Sequence, residues 1–141
     1  MISCTEFILA YNELFKLLEE RGGREDLERF WERVSDEYLG NLDRLVAQKG
    51  IAGMAEYWGH TLTEKAADAE MRADEDRFVL EIYKCPSIDL LNSSGVEKCF
   101  CYCAHCDTLY KRVIEKYGFE YKLYIIDPEK GRCRIEVRKV G

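Results

Sequence analysis

Near residue 66 the hydrophobic period of this chain changes from helical spacing to strict alternation, and that change ends an all-helical part and opens the first pair of strands. Before it, Phe7, Ile8, Tyr11, Leu14, Phe15 and Leu18 recur on one helical face until Gly22-Gly23 interrupts them, and Ser3 with Glu6 has capping-box spacing. A second and longer pattern, Leu27, Phe30, Trp31, Val34, Tyr38, Leu42, Leu45 and Val46, ends at Gly50. A third, Ile51, Met54, Ala55, Trp58 and Leu62, follows it. Three amphipathic helices are therefore expected in the amino-terminal part, residues 1–66. At this spacing Trp31, Tyr38 and Trp58 are expected to pack in the core rather than to line a ligand pocket.

Beyond the change, Ala69, Met71 and Ala73 alternate with Asp68, Glu70 and Arg72. After Asp74-Glu75-Asp76 the alternation resumes as Phe78, Leu80 and Ile82, which reads as a β-hairpin. Pro86 suits the first turn of a short helix through Leu91, Asn92-Ser93-Ser94-Gly95 breaks the chain, and a longer helix is expected from Tyr102 to Tyr117 with Gly118 to end it. A second hairpin pairs Phe119, Tyr121, Leu123 and Ile125 with Cys133, Ile135 and Val137 around the turn Asp127-Pro128-Glu129-Lys130-Gly131. The expected fold is α+β and a single domain over residues 1–141. Three amino-terminal helices pack with a ββααββ unit, residues 67–141, whose strands form one antiparallel sheet of about four strands, with the cysteine-bearing helix across one face.

Charge and cysteine usage narrow the function. A formal net charge of −6 and a pI near 5.1 argue against nucleic acid, which is bound through clustered Lys and Arg. Arg132, Arg134, Arg138 and Lys139 do cluster, but they interleave with Glu136 at strand spacing and read as a solvated strand face. The first residues read as the approach to a helix rather than a signal sequence, and no apolar run nears the roughly 20 residues of a membrane span, so no membrane association and a cytoplasmic location are expected. The cysteines number seven, an odd count, and thiols in that compartment stay mostly reduced, which argues against a disulfide framework. The expected partners are a small-molecule ligand or substrate and a second copy of the chain in a homodimer.

Four of the seven cysteines fall in the run Cys99-Phe100-Cys101-Tyr102-Cys103-Ala104-His105-Cys106-Asp107, which concentrates groups that bind soft metals or do nucleophilic chemistry. Cys103 and Cys106 share a helix face, Cys133 lies on the apolar face of the last strand, and Cys85 sits where a strand gives way to a helix. A tetrahedral site for zinc or another thiophilic metal can be drawn from Cys85, Cys103, Cys106 and Cys133, with Cys101 or His105 as substitutes. A helix N-terminus favours a thiolate, and Cys103 in a first turn would gain more from it than Cys106. Either could serve as a nucleophile, with His105 or Asp107 handling the proton. Plainer readings compete. Cys4, Cys99 and Cys133 can be small buried hydrophobes, Asp107 reads first as a carboxylate complementing the helix dipole, and His60 as a surface residue.

The order Cys85-Pro86, Cys103-Ala104-His105-Cys106-Asp107, a helix to Gly118, and Gly131-Arg132-Cys133-Arg134-Ile135 resembles the L-2-amino-thiazoline-4-carboxylic acid hydrolase family over roughly residues 50–140. The closing Gly-x-Cys-x-Ile pattern is also similar to that of vinyl-reductase-type sensory domains, which bind small molecules and can carry a cysteine-ligated zinc. The resemblance implies a hydrolase opening a small cyclic C=N substrate through a cysteine or a cysteine-bound metal site, with Cys85, Cys106, Asp107 and Cys133 as the positions carried over. The alternative is a non-catalytic domain that binds zinc and a small ligand through the same thiols.

Overall fold

A computed structural model describes residues 4–64 and 67–141, so the capping role expected of Ser3 lies outside the described residues. The first helix, α1, runs Cys4–Tyr38 with one non-helical residue inside it, Gly23, at φ 74° and ψ −172°. Were this segment straight, Phe15 and Trp31 would stand about 24 Å apart at 1.5 Å per residue. Their ring centroids are 5.3 Å apart, and Tyr11 lies 6.1 Å from Phe30. The chain therefore folds back at Gly22-Gly23 into a helical hairpin, through a backbone conformation that is essentially restricted to glycine.

The second hydrophobic pattern is divided at Leu39-Gly40, although its apolar spacing runs on unbroken. Leu39 leaves the helical region at φ −95° and ψ 25°, and α2, Gly40–Lys49, starts after it. Tyr38 is a casualty of that break: it is 79% exposed, whereas Trp31 and Trp58 are core residues at 0% and 3%. Helix α3, Ile51–Glu64, follows. No helix among the described residues is long and apolar enough to cross a membrane.

The remaining elements are β1 Asp68–Ala73, β2 Arg77–Lys84, α4 Pro86–Ser94, a single 3-10 turn Tyr102–Ala104, α5 His105–Glu115, β3 Phe119–Asp127 and β4 Arg132–Lys139. The strands form one four-stranded sheet in the order β1-β2-β4-β3 with every neighbouring pair antiparallel, so the α+β architecture is as expected. Register aligns the apolar rows. Phe78 and Tyr121 flank Val137, Leu80 and Leu123 flank Ile135, and Ile82 and Ile125 flank Cys133. The opposite face is polar and paired: Arg134 binds Glu81, Arg77 reaches Glu136 at 3.2 Å, and Arg138 binds Glu120.

Two clusters fill the interior. One lies between the sheet and helices α2, α3 and α5, around Leu42, Met54, Trp58, Val113, Ile114 and Tyr121. The other joins the α1 hairpin to α4 and to residues 99–102, around Phe15, Leu27, Trp31, Ile88 and Leu91. Helix α1 is tied to α5 by the buried Ser35 hydroxyl, which donates to the Leu109 carbonyl at 2.7 Å, and by a two-pronged Arg112 to Asp36 contact at 2.8–3.1 Å.

Candidate functional site

Cys85 stands at the junction of β2 and α4. Its backbone is extended at φ −71° and ψ 123°, which suits the residue before Pro86, and its N–H donates to the Gly131 carbonyl at 3.0 Å. Gly131 has φ 67°, and a Cβ on it would lie 2.6 Å from that of Cys85 and 2.9 Å from that of Ile88. The absence of a side chain at Gly131 is thus what lets the β3-β4 turn close onto the start of α4. One step along β4, Cys133 points to the apolar face between Ile82 and Ile125.

The segment before α5 approaches from the other side. A long helix from Tyr102 is expected from its pattern, but the chain makes i to i+3 bonds first, Tyr102 N–H to Cys99 O and Ala104 N–H to Cys101 O, each 3.0 Å, and α5 begins only at His105. Cys103 on this turn and Cys106 on α5 face the same space as Cys85 and Cys133. All four thiols line one cavity of about 250 Å³, together with His105 and a largely apolar wall that includes Trp58, Ile82, Leu123, Ile125 and Ile135. Tyr11, Tyr102 and Tyr110 contribute phenols, and the exposed Arg132 also borders it.

His105 gives the cavity a defined proton arrangement. Its Nδ1 contacts the Tyr102 carbonyl, which can only accept, so Nδ1 carries the proton. Nε2 is then the bare acceptor, and Cys106 Sγ lies 3.7 Å from it, so the thiol donates to the imidazole. Aromatic rings enclose the imidazole, with centroids of Tyr102, Phe15, Tyr11 and Trp31 at 4.9, 5.3, 5.8 and 6.4 Å. Burial in that enclosure pulls His105 down to about 4, and burial helped by the nearby Asp107 charge pushes Cys106 up to about 12. The resting pair is a neutral thiol and a neutral imidazole.

The other thiols behave alike. Cys103 is pushed up to about 11 by burial and by Cys106 and Cys85, against a weaker opposing pull from Lys98. Burial also raises Cys133, and it raises Cys85 despite the Ser87 and Ile88 amides that favour its thiolate. The expectation of a Cys103 thiolate stabilised by a helix N-terminus is thus overturned. Cys103 precedes α5 instead of lying in its first turn, and a helix-dipole effect of about 0.3–1 kcal/mol is smaller than the desolvation of a buried thiol.

The remaining expected positions are elsewhere. Asp107 is half-buried beside Cys106 and does not line the cavity, and Cys4 and His60 are exposed. Cys99 and Cys101 are buried in the α1 cluster, against which Cys85 and Cys103 also pack, and neither lines the cavity. Among the described residues, the group of three donor atoms that lie within 4.8 Å of one another is Glu19, Cys99 and Cys101. Cys85, Cys103, Cys106 and Cys133 share the cavity wall without closing to that spacing, and tetrahedral zinc with Zn–S bonds of about 2.3 Å requires sulfurs roughly 3.8 Å apart. The Tyr102 carbonyl, which sets the His105 tautomer, and Glu19 carry no signal in a motif. Gly131 does, as the residue two before Cys133. No protein-family model matches the chain, and no curated protein sequence matches it.

Proposed function

We propose that the chain is a small thiol-dependent hydrolase that opens the ring of a small cyclic C=N substrate, a reaction like that of the L-2-amino-thiazoline-4-carboxylic acid hydrolases its sequence resembles. One observation carries the reading: Cys106 Sγ, His105 Nε2 and the Tyr102 carbonyl form a nucleophile, base and orienter on the wall of a cavity of about 250 Å³. Because both partners rest neutral, the chemistry follows the hydroxyl–imidazole pattern rather than a preformed thiolate–imidazolium pair. As Sγ bonds to the amidine-like carbon, its proton passes to Nε2 and then to the ring heteroatom that leaves. A water deprotonated by Nε2 then breaks the Sγ–C bond and restores the thiol, so that the net change is addition of one water.

Asp107 has no part in this transfer, since it lies outside the cavity. A cytoplasmic location, where these thiols stay reduced, belongs to the same proposal. The test is incubation of the reduced protein with 2-aminothiazoline-4-carboxylate, following ring opening by mass spectrometry. Turnover that disappears in Cys106→Ser and His105→Ala is the expected result; no ring opening by the reduced wild type rejects this substrate.

The shared wall of four thiols favours a second reading, a non-catalytic domain that takes zinc or another thiophilic metal, or a small ligand, into the same cavity. Drawing the thiols to coordination distance would be part of such binding. Stoichiometric metal lost in Cys85→Ser and Cys133→Ser, with no turnover of any cyclic amidine, would favour it over the hydrolase.

A further inference from the structure

The hydrolase reading leaves Cys99 and Cys101 unused, although both are almost fully buried, at 5% and 4% exposure. They belong to the segment 95–101, which lies along one face of α1 near the tip of its hairpin. Asn12, itself buried, donates to the Glu97 carbonyl at 2.9 Å and accepts the Cys99 N–H at 2.8 Å. Lys16 donates to the same carbonyl at 3.1 Å, and the Cys101 thiol donates to Glu19 Oε2 at 3.6 Å. Asn12, Lys16 and Glu19 are successive positions of one helical stripe, so the helix presents a fixed comb to which the segment is bound at three levels.

We propose that Glu19, Cys99 and Cys101 form a binding site for a thiophilic divalent cation, zinc being the ion expected, separate from the thiol-lined cavity. Their donor atoms already lie within 4.8 Å of one another. A tetrahedral zinc with Zn–S of about 2.3 Å and Zn–O of about 2.0–2.2 Å holds sulfur and oxygen roughly 3.5 Å apart, close to the 3.6 Å between Cys101 and Glu19. Two sulfurs and one carboxylate oxygen leave one position for water. Packing alone accounts for two buried thiols but not for a carboxylate aimed at them. Burial, Cys99 and Glu19 together push Cys101 up to about 12, with Arg24 opposing, and a dication reverses that balance. Binding releases both thiol protons to solvent, so affinity rises with pH. The bound ion would staple the segment to α1 immediately before Tyr102, Cys103, His105 and Cys106, and so fix the approach to the cavity whatever chemistry occurs there.

The test uses the full chain prepared without oxygen, stripped of metal and titrated with Co²⁺ as a spectroscopic probe, then with Zn²⁺ in competition. The expected result is one equivalent bound, a sulfur-to-cobalt charge-transfer band, and about two protons released per ion. The band persists in the double variant Cys85→Ser/Cys133→Ser and disappears in Cys101→Ser. Should the latter fail to fold, Glu19→Gln, at a half-buried carboxylate, is expected to fold normally and to lower zinc affinity at least tenfold. The proposal is overturned by no stoichiometric binding, by a band that requires Cys85 and Cys133, by unchanged affinity in Glu19→Gln, or by a Cys99–Cys101 disulfide in the anaerobic protein. None of these readouts involves turnover.

Discussion

His105 and Cys106 are neighbours in sequence, yet their partnership depends on a carbonyl that the sequence does not advertise. Tyr102 O is available to His105 Nδ1 because the chain makes a 3-10 turn there before α5 begins, and that bond decides which imidazole nitrogen faces the thiol. The neutral state of the pair has kinetic consequences. If the thiol attacks with proton transfer to His105, kcat/KM for ring opening falls as pH drops through about 4 and is flat from about 5 to 9, since neither partner titrates in that interval. Alkylation of Cys106 by iodoacetamide should be slower than that of the exposed Cys4, because the reagent has to enter the cavity. A Cys106 that reacts as fast as Cys4 would contradict this assignment.

At the scale of elements, two glycines with positive φ separate strain from sterics. Gly23 has open space around a hypothetical Cβ, so Gly23→Ala should cost only the backbone term, about 1–3 kcal/mol, with the cavity unaffected. At Gly131 the same change adds an overlap with Cys85 and Ile88 and strains the bond from Cys85 N–H, so Gly131→Ala should cost more and separate Cys85 from Cys133. Urea unfolding of the two variants gives the ordering; equal losses would show that the β3-β4 turn moves freely from α4. Legibility follows the same division. The break at Gly22-Gly23 is plain in the sequence, but the folding back of the hairpin rests on contacts such as Phe15 with Trp31. The break at Leu39 is masked, because Val34, Tyr38 and Leu42 keep helical spacing straight across it, although Gly40 stands beside it. The meeting of Cys85 with Cys133 is readable, since strand alternation aims Cys133 inward and Pro86 ends the strand at Cys85. The Glu19, Cys99 and Cys101 cluster is not, because only the hairpin brings Glu19 to the segment 95–101.

For the molecule as a whole, the cavity lies where the two hydrophobic clusters meet, walled by the sheet on one side and by α1 and the 3-10 turn on the other. Ionisable side chains are thus built into the interior as neutral groups, and folding stability should carry their signature at both ends of the pH scale. His105 has a folded value of about 4 against 6.5 unfolded, so between those limits the unfolded chain binds more protons. Stability is then complete above about 6.5 and falls as pH drops to about 4, by on the order of 3 kcal/mol. The thiols act in the opposite sense. Cys103, raised to about 11, and Cys101 and Cys106, raised to about 12, stay protonated in the folded state while the unfolded chain ionises near 9, so stability falls as pH rises beyond about 9. Urea denaturation across pH 4 to 10.5 should therefore give a plateau from about 6.5 to 9 with a limb on each side. In His105→Gln the acid limb should flatten while the alkaline limb remains, whereas in Cys106→Ala the acid limb should remain and the alkaline limb should become shallower but persist, since Cys101 and Cys103 still contribute to it. An acid limb that persists unchanged in His105→Gln would mean that carboxylates, such as the paired Asp36 and Glu120, set the acid stability instead.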